Sequence, residues 1–296
     1  MKVFVTGATG FVGAAVVDEL IRNGHKVVGL SRNPDKGRAL AAQGAEVLSG
    51  TLEELDKLAS AAVAADATIH CGFNHDFTRF AENCAQEGRV ITAMAGAYKG
   101  TAKPLIVTSG VGVLPGQLVT EDIPVDPASH NPRKVTEITS NEMIAQGVDV
   151  RAVRLPIVHG DGDHGFIAMM INLAKEKGAV AYAGDGQNTW ASVHRFDAAK
   201  AYRLALEKGA SGARYHPVAE QGVTIKALAD ILAERLNLPQ QSLTGDAIAA
   251  HFTWFAHFAQ MNMKASSAKT RSELGWAPKE IGLIEDLKTS QHYFAG

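Results

Sequence analysis

The stretch Val3-Phe4-Val5-Thr6-Gly7-Ala8-Thr9-Gly10-Phe11-Val12-Gly13 decides how this chain reads. A short β-branched and aromatic run ends at Thr6-Gly7, and an apolar face of Val12, Val16, Leu20 and Ile21 follows at helical spacing. The helix pattern stops at Asn23-Gly24, where the glycine suits a C-cap. A strand, a Gly-x-x-Gly-x-x-Gly turn and an amphipathic helix, in that order, are the context in which a glycine triplet holds a dinucleotide. Gly7 permits the tight turn. Gly10 keeps a Cβ out of the path of a pyrophosphate, and Gly13 lets the helix lie close to the strand. The unpaired N–H groups of the first helical turn then meet the phosphates, where the helix dipole also favours negative charge. The predicted contacts are Gly7, Thr9, Gly10, Phe11, Val12 and Gly13.

The next strand, Lys26-Val27-Val28-Gly29-Leu30, leads into Ser31-Arg32-Asn33. A site that prefers NAD usually has an acidic residue here, accepting hydrogen bonds from the ribose hydroxyls. Arg32 instead offers a planar cation to a 2′-phosphate and a face to adenine. Ser31 and Asn33 add neutral donors, and Lys36 a second charge. The coenzyme expected is therefore NADP(H), against the competing reading of Arg32 as a solvated surface residue.

Further strands are predicted at Ala45–Leu48, Ala67–His70, Pro104–Thr108 and Val148–Arg154. Apolar strands separated by helical stretches predict an α/β fold, a Rossmann-type doubly wound parallel sheet. Cys71, Gly72, Thr108 and Pro156, at or just past the ends of these strands, complete the expected coenzyme contacts. After Ser109 the prolines at 115, 124, 127 and 132 mark a loop, followed by a helix over Val135–Gln146. Beyond Pro156 the alternation loosens, with helices expected near Phe166–Lys177, Asp197–Lys208, Ile225–Leu236 and Glu280–Gln291. The predicted organisation is a dinucleotide-binding domain over 1–155, with 190–218 returning to it. A smaller substrate-binding lobe takes most of 156–296.

Composition narrows the classes. The 296 residues are 46% hydrophobic and 20% charged, an ordinary globular balance. With 29 basic against 31 acidic side chains there is no bulk field to attract nucleic acid or an anionic membrane. The two cysteines, Cys71 and Cys84, are too few for a disulfide framework and lack zinc-ligand spacing. They are expected as small buried hydrophobes in a reducing cytosol. No apolar run approaches the roughly 20 residues a membrane helix needs. Met1 runs almost directly into the first strand, so no signal peptide is expected and the predicted location is cytoplasmic.

Several stretches together resemble the short-chain dehydrogenase/reductase superfamily, in its extended and atypical branches, often labelled NAD-dependent epimerase/dehydratase. Val5 to Gly13 resembles its opening turn. Val107-Thr108-Ser109-Gly110 resembles the strand that carries its serine. Val153-Arg154-Leu155-Pro156-Ile157-Val158-His159-Gly160 resembles the segment leading into its substrate lobe. Ser192-Val193-His194-Arg195-Phe196-Asp197-Ala198-Ala199 resembles its histidine-aspartate helix start, and Ser267–Pro278 its C-terminal signature. His75-Asp76-Phe77 and Gly162-Asp163-His164-Gly165-Phe166 look like an atypical subgroup that lacks the Tyr-x-x-x-Lys pair.

The resemblance implies acid/base chemistry by a tyrosine, a lysine four residues later and a serine on the fifth strand. Ser109 matches the serine. The tyrosine is missing, since no Tyr lies between Tyr98 and Tyr182 and its window is 128–138. In that window His130-x-x-x-Lys134 is the i,i+4 pair ending in lysine, and an imidazole titrates near neutrality. His130 precedes Pro132, so a loop position is predicted and a plain surface histidine competes. Glu87 stands near the place of the family's fourth member, an asparagine. His75 and Asp76 follow the fourth strand, where they supply either an acid/base pair or an N-cap with an exposed histidine. His164 lies in a glycine-bracketed loop suited to covering a nicotinamide. Its neighbours His159, Asp161 and Asp163 have no metal-ligand spacing, and no metal is expected. His194 is expected to anchor its loop. Trp190 either walls a pocket or fills the core. The aromatic run His251–Phe258 reads as a pocket lining, a homodimer surface or a core helix.

The function expected is an NADP(H)-dependent oxidoreductase of the carbonyl reductase or alcohol dehydrogenase type. Its substrate would be a small, fairly apolar or aromatic carbonyl or alcohol. An epimerase or dehydratase retaining its coenzyme is the first alternative. A redox sensor that binds NADP(H) without turnover is the second.

Overall fold

Alternate residues of the first strand face opposite ways, and both ways are apolar. Val3 and Val5 enter one core with Val16, Val17 and Leu20, while Phe4 enters another with Leu58, Ile91 and Met94. Such a strand is stable only with helices on both faces. The computed structural model describes residues 1–112 and 117–294, so Pro115 lies outside the described residues.

The strands are β1 (Lys2–Thr6), β2 (Lys26–Ser31), β3 (Glu46–Ser49), β4 (Ala67–His70), β5 (Leu105–Gly110) and β6 (Val150–Leu155). They continue as β7 (Ile157–His159), β8 (Val180–Ala183), β9 (Thr189–His194), β10 (Arg214–Tyr215), β11 (Glu220–Thr224) and β12 (Gln240–Leu243). The main sheet runs β10-β6-β5-β4-β1-β2-β3, and every pairing in it is parallel. The chain leaves β1 toward β2 and β3, then returns to β4 on the other side. Strand order reverses between β1 and β4, so the loops after these strands diverge and leave a crevice at their carboxyl ends.

Helix α1 (Phe11–Arg22) and, further on, α2 (Pro34–Ala42) cover one face of the sheet. Helices α3 (Leu55–Val63), α4 (Phe80–Gly96) and α5 (Val135–Ala145) cover the other. After α6 (Phe166–Lys177), helix α7 (Arg195–Lys208) returns to the first face and packs on α1. Tyr202 and Leu206 of α7 share the core of Val3 and Val16.

A third core belongs to the later segments. The sheet β11-β9-β7 and the pair β12-β8 meet helices α6 and α8 (Ile225–Leu236), with Trp190 fully buried. Trp190 is thus a core residue. The aromatic run forms two short helices, α9 (Asp246–Phe252) and α10 (Ala256–Gln260), joined by a 3-10 turn at Thr253–Phe255. Helices α11 (Ala268–Leu274) and α12 (Leu283–Thr289) complete the chain. Among the described residues no helix is long and apolar enough to cross a membrane.

One contact fixes the crevice. A Cβ built on Gly13 falls 2.0 Å from the carbonyl oxygen of Gly7, a backbone atom that cannot rotate away. Gly13→Ala is expected to push α1 off the turn and cost about 1–3 kcal/mol, read as a lower urea midpoint. Gly96→Ala, in the last turn of α4 with open space around it, is the control and leaves the midpoint unchanged or higher.

Candidate functional site

The turn after β1 is built for close approach. Gly7 has φ +66°, and a Cβ there would stand 2.7 Å from the backbone of Cys71 and Gly72. The loop after β4 therefore presses directly on the turn. Gly10 caps α1 with no side-chain hydrogen bond, and the first helical turn carries no acidic residue. Its N–H groups face the crevice without a carboxylate to neutralise them, an arrangement suited to a diphosphate. Phe11 lies under the guanidinium of Arg195, 5.4 Å from its ring centre, and meets the edge of His164 at 6.1 Å.

At the tip of β2 the polar side chains divide. Ser31 is buried and donates to the carbonyl of Asn33 at 2.9 Å. The Asn33 side chain accepts from the N–H groups of Asp35 and Lys36, capping α2. Arg32 is exposed and enters no ion pair among the described residues.

The floor lies across the ends of β4 and β5. Gly72 N–H donates to the Thr6 hydroxyl at 3.2 Å, and that hydroxyl meets His70 Nδ1 at 2.6 Å. The hydroxyl can donate to Nδ1 while accepting from Gly72, and the histidine proton then sits on Nε2; with the proton on Nδ1 the hydroxyl accepts from both. Burial keeps His70 below its ordinary pKa despite Glu87, so the ring is neutral. Its Nε2 has no partner and stands 4.0 Å from Glu87 Oε2. A cavity of about 30 Å³ lined by His70, Gly72, Phe73 and Glu87 adjoins it, room for one water. Glu87 is buried and accepts from Arg133 at 2.8 Å and from the Thr136 hydroxyl at 3.1 Å. Arg133 also donates to the Thr108 carbonyl at 3.1 Å, and its guanidinium lies 3.8 Å from the ring centre of Phe73.

Beside this floor lies a second buried ion cluster. Arg154 grips Glu137 with two hydrogen bonds of 2.7 and 2.6 Å, and Arg214 adds a third at 3.1 Å. Ser109 donates to the same carboxylate at 3.0 Å. Burial pushes the Glu137 carboxyl up, but Arg154, Ser109 and Arg214 together hold it below its ordinary 4.5.

The mouth is aromatic. Phe77 stacks on Trp254 at 5.6 Å and meets Phe80 at 5.7 Å and Phe258 at 6.4 Å; Phe166 meets Phe258 at 4.6 Å. The loop after β4 thus touches the α9–α10 segment of the other lobe. His75 sits on that loop against Phe73. Desolvation by this wall, then the charges of Arg133 and His164, hold its imidazole below the ordinary value.

A family model for the NAD dependent epimerase/dehydratase family matches residues 3–218. The chain belongs to that family. It is 42% identical to an uncharacterised protein, C2A9.02, of Schizosaccharomyces pombe, covering 99% of this chain and 100% of that one. It is 41% identical to an uncharacterised protein, YLL056C, of Saccharomyces cerevisiae, covering 98% of this chain and 99% of that one. The fold matches a crystal structure of DesIV, a dTDP-glucose 4,6-dehydratase from Streptomyces venezuelae with NAD and TYD bound. That match has a TM-score of 0.78 at 20% identity, covering 100% of this chain and 97% of DesIV. Nicotinamide dinucleotides are the coenzymes of this epimerase/dehydratase family, and the turn at Gly7–Gly13 fits one.

Within the family frame several expected roles move. Ser31 and the Asn33 side-chain oxygen are spent on the β2–α2 turn, which leaves Arg32 as the free group at that tip. The Thr108 hydroxyl is spent between strands, donating to His70 O at 2.7 Å and meeting the Tyr202 hydroxyl at 2.7 Å. Cys71 lends its backbone to the turn. Burial pushes its thiol up to about 12, so it stays protonated. Pro156 is buried between β6 and β7. Asp76 caps the 3-10 turn Phe77–Arg79 by accepting from Thr78 N–H at 3.0 Å, and His75 beside it is exposed. His130 is exposed, before the 3-10 turn Pro132–Lys134 and off helix α5. Lys134 donates to the carbonyls of Pro127 and Ser129 at 2.6 and 2.7 Å, which ties its ammonium to the preceding loop. His164 stays on its loop, next to Gly162 O at 3.2 Å. His159 pairs with Asp286 at 2.7 Å, and Asp163 with Tyr293 at 2.9 Å. His194 caps α7, the anchoring role expected of it.

The sequence reading missed Arg133 and Glu137. Both lie in the window searched for the tyrosine, but that search was for a phenol and a lysine. A charged Arg and Glu at the start of α5, together with the carboxylate at Glu87 where the family has an asparagine, was the available signal.

Glu137→Gln should destabilise the protein by up to about 3–5 kcal/mol at neutral pH, because Arg154 and Arg214 lose their counter-charge. A carboxyl held below its unfolded value stabilises the fold above that value and loses the contribution as pH falls. Denaturant melts from about pH 7 to pH 3 should show the gap between wild type and variant narrowing below about pH 4.5. A gap that stays constant would assign the acid sensitivity elsewhere.

Proposed function

We propose that this protein is an NADP(H)-dependent oxidoreductase that interconverts a small carbonyl compound and its alcohol. The observation that carries the reading is the tip of β2, where Arg32 is exposed with no acidic side chain beside it in sequence. A 2′-phosphate would find a guanidinium there, whereas ribose hydroxyls would find no carboxylate to accept from them. The reading assigns residues 1–155, with 190–218, to coenzyme binding and most of 156–296 to the substrate lobe. It also places the chain among the family members that lack the Tyr-x-x-x-Lys pair.

The coenzyme, when bound, supplies or takes up hydride. The chain's own residues must hold the substrate, exclude water and move a proton. The aromatic mouth formed by Phe77, Trp254, Phe166 and Phe258 suits an apolar or aromatic substrate body. His75 is the proton carrier in this reading. Its lowered pKa leaves it neutral near pH 7, able to take the proton from an alcohol as hydride leaves; in reduction it would first take a proton from water and pass it to the carbonyl oxygen as hydride arrives. Ser109 lies at the expected strand end, but a substrate oxygen would compete with Glu137 for its proton.

The test is a coenzyme titration followed by a panel of aldehydes and ketones. NADPH is expected to bind more tightly than NADH and to be consumed with at least one aromatic or alkyl carbonyl. Arg32→Ala should weaken NADPH at least tenfold, about 1.4 kcal/mol, and leave NADH nearly unchanged. Preference for NADH would overturn the coenzyme assignment. NADPH binding with no turnover across the panel would favour the sensor reading.

A further inference from the structure

We propose that Arg133 binds the oxygen atom of the substrate, and that its pairing with Glu87 restricts that oxygen to an uncharged carbonyl or hydroxyl. This deepens the oxidoreductase reading and rests on it for the nature of the substrate.

Arg133 is fixed on three sides. One terminal nitrogen donates to Glu87, the other to the Thr108 carbonyl at the end of β5, and the guanidinium face rests on Phe73. A guanidinium carries five N–H donors, so those two bonds leave donors to spare. The Arg133 side chain is 19% exposed while that of Glu87 is 1% exposed, so the pair has a buried end and an open end. The open end lies at the carboxyl edge of the parallel sheet, between the glycine turn and the aromatic mouth. A planar cation that cannot rotate presents its remaining donors in a fixed direction, which is what an oxygen-binding site needs. The other buried arginine does not offer this. Arg154 is 3% exposed and its donors go to Glu137 and the Ile123 carbonyl.

The charge of the pair sets the class of oxygen. Glu87 balances Arg133, and the neutral His70 beside it adds nothing. A carboxylate ligand would meet the guanidinium and, just behind it, the buried Glu87 carboxylate, so most of its Coulomb attraction would be lost. It would still have to shed its water, which is costly for an ion. A carbonyl or hydroxyl oxygen takes the hydrogen bonds without that repulsion.

The test uses benzamide and benzoate, an uncharged and an anionic oxygen on the same ring, titrated calorimetrically against the full chain with and without NADP⁺. Wild type is expected to bind benzamide more tightly than benzoate. Arg133→Met should weaken benzamide at least tenfold, and Arg133→Lys should recover part of the loss. Glu87→Gln leaves the guanidinium unbalanced and should shift the benzoate-to-benzamide affinity ratio toward benzoate at least tenfold. Thermal melts of each variant confirm that it is folded. Wild-type benzamide affinity in folded Arg133→Met would overturn the proposal. So would an unchanged ratio in Glu87→Gln, or the binding of neither probe to wild type. Failure of either coenzyme to bind is read separately and counts against the oxidoreductase reading alone, because the titrations without coenzyme still report on Arg133.

Discussion

The close approach of α1 to the turn after β1 is the constraint on which the rest of the crevice depends. Gly13 packs against the carbonyl of Gly7, and Gly7 in turn receives the backbone of Cys71 and Gly72. Three segments of chain meet there with no side chain between them. That contact aims the first-turn N–H groups of α1 at the space between β1 and β4. It also sets where the loop after β4 begins, and therefore where Phe73, His75 and Phe77 can reach. Removing a Cβ at three positions costs chain entropy in each glycine. The return is a site whose phosphate end and substrate end are held in fixed relation.

On that frame the floor is ionic to an unusual degree for a buried surface. Two carboxylates, Glu87 and Glu137, are each matched by arginine, and the two pairs lie on either side of β5. Neither cluster could exist alone in a core, since an unmatched buried charge costs several kcal/mol. They differ in how completely the match is closed. Glu137 is saturated by Arg154, Arg214 and Ser109, and behaves as a strut joining α5 to β5, β6 and β10. Glu87 has Arg133 and Thr136, and its arginine remains open on one side. A guanidinium offers hydrogen bonds and charge but does not give up a proton near neutrality.

At the mouth, the loop after β4 meets the α9–α10 segment mostly through rings. Phe77 of that loop stacks on Trp254 of the 3-10 turn between α9 and α10, and Trp254 is still 56% exposed. Flat apolar faces give adhesion without fixed hydrogen-bond geometry, so such a contact can open for a substrate and close again at modest cost. The loop after β7 and the C-terminal residues act differently. Tyr293 hydrogen-bonds to Asp163 and to the Gly160 N–H, pinning the loop that carries His164.

The amino-acid sequence by itself determined the parallel α/β fold, the position of the dinucleotide turn and the cation at the tip of β2. These are local facts. A strand period of two, a helix period of 3.6 and a glycine spacing can be read over a dozen residues, because the backbone geometry that imposes them is short-ranged. The ionic floor could not be read that way. Glu87 and Arg133 are 46 positions apart, and Arg154 and Glu137 are 17 apart on different elements. The family resemblance marked a place for Glu87 and a segment for Arg154, but no spacing in the sequence joined either to its partner. Only the tertiary structure removed them from water, and it is the loss of water that makes each charge choose a partner.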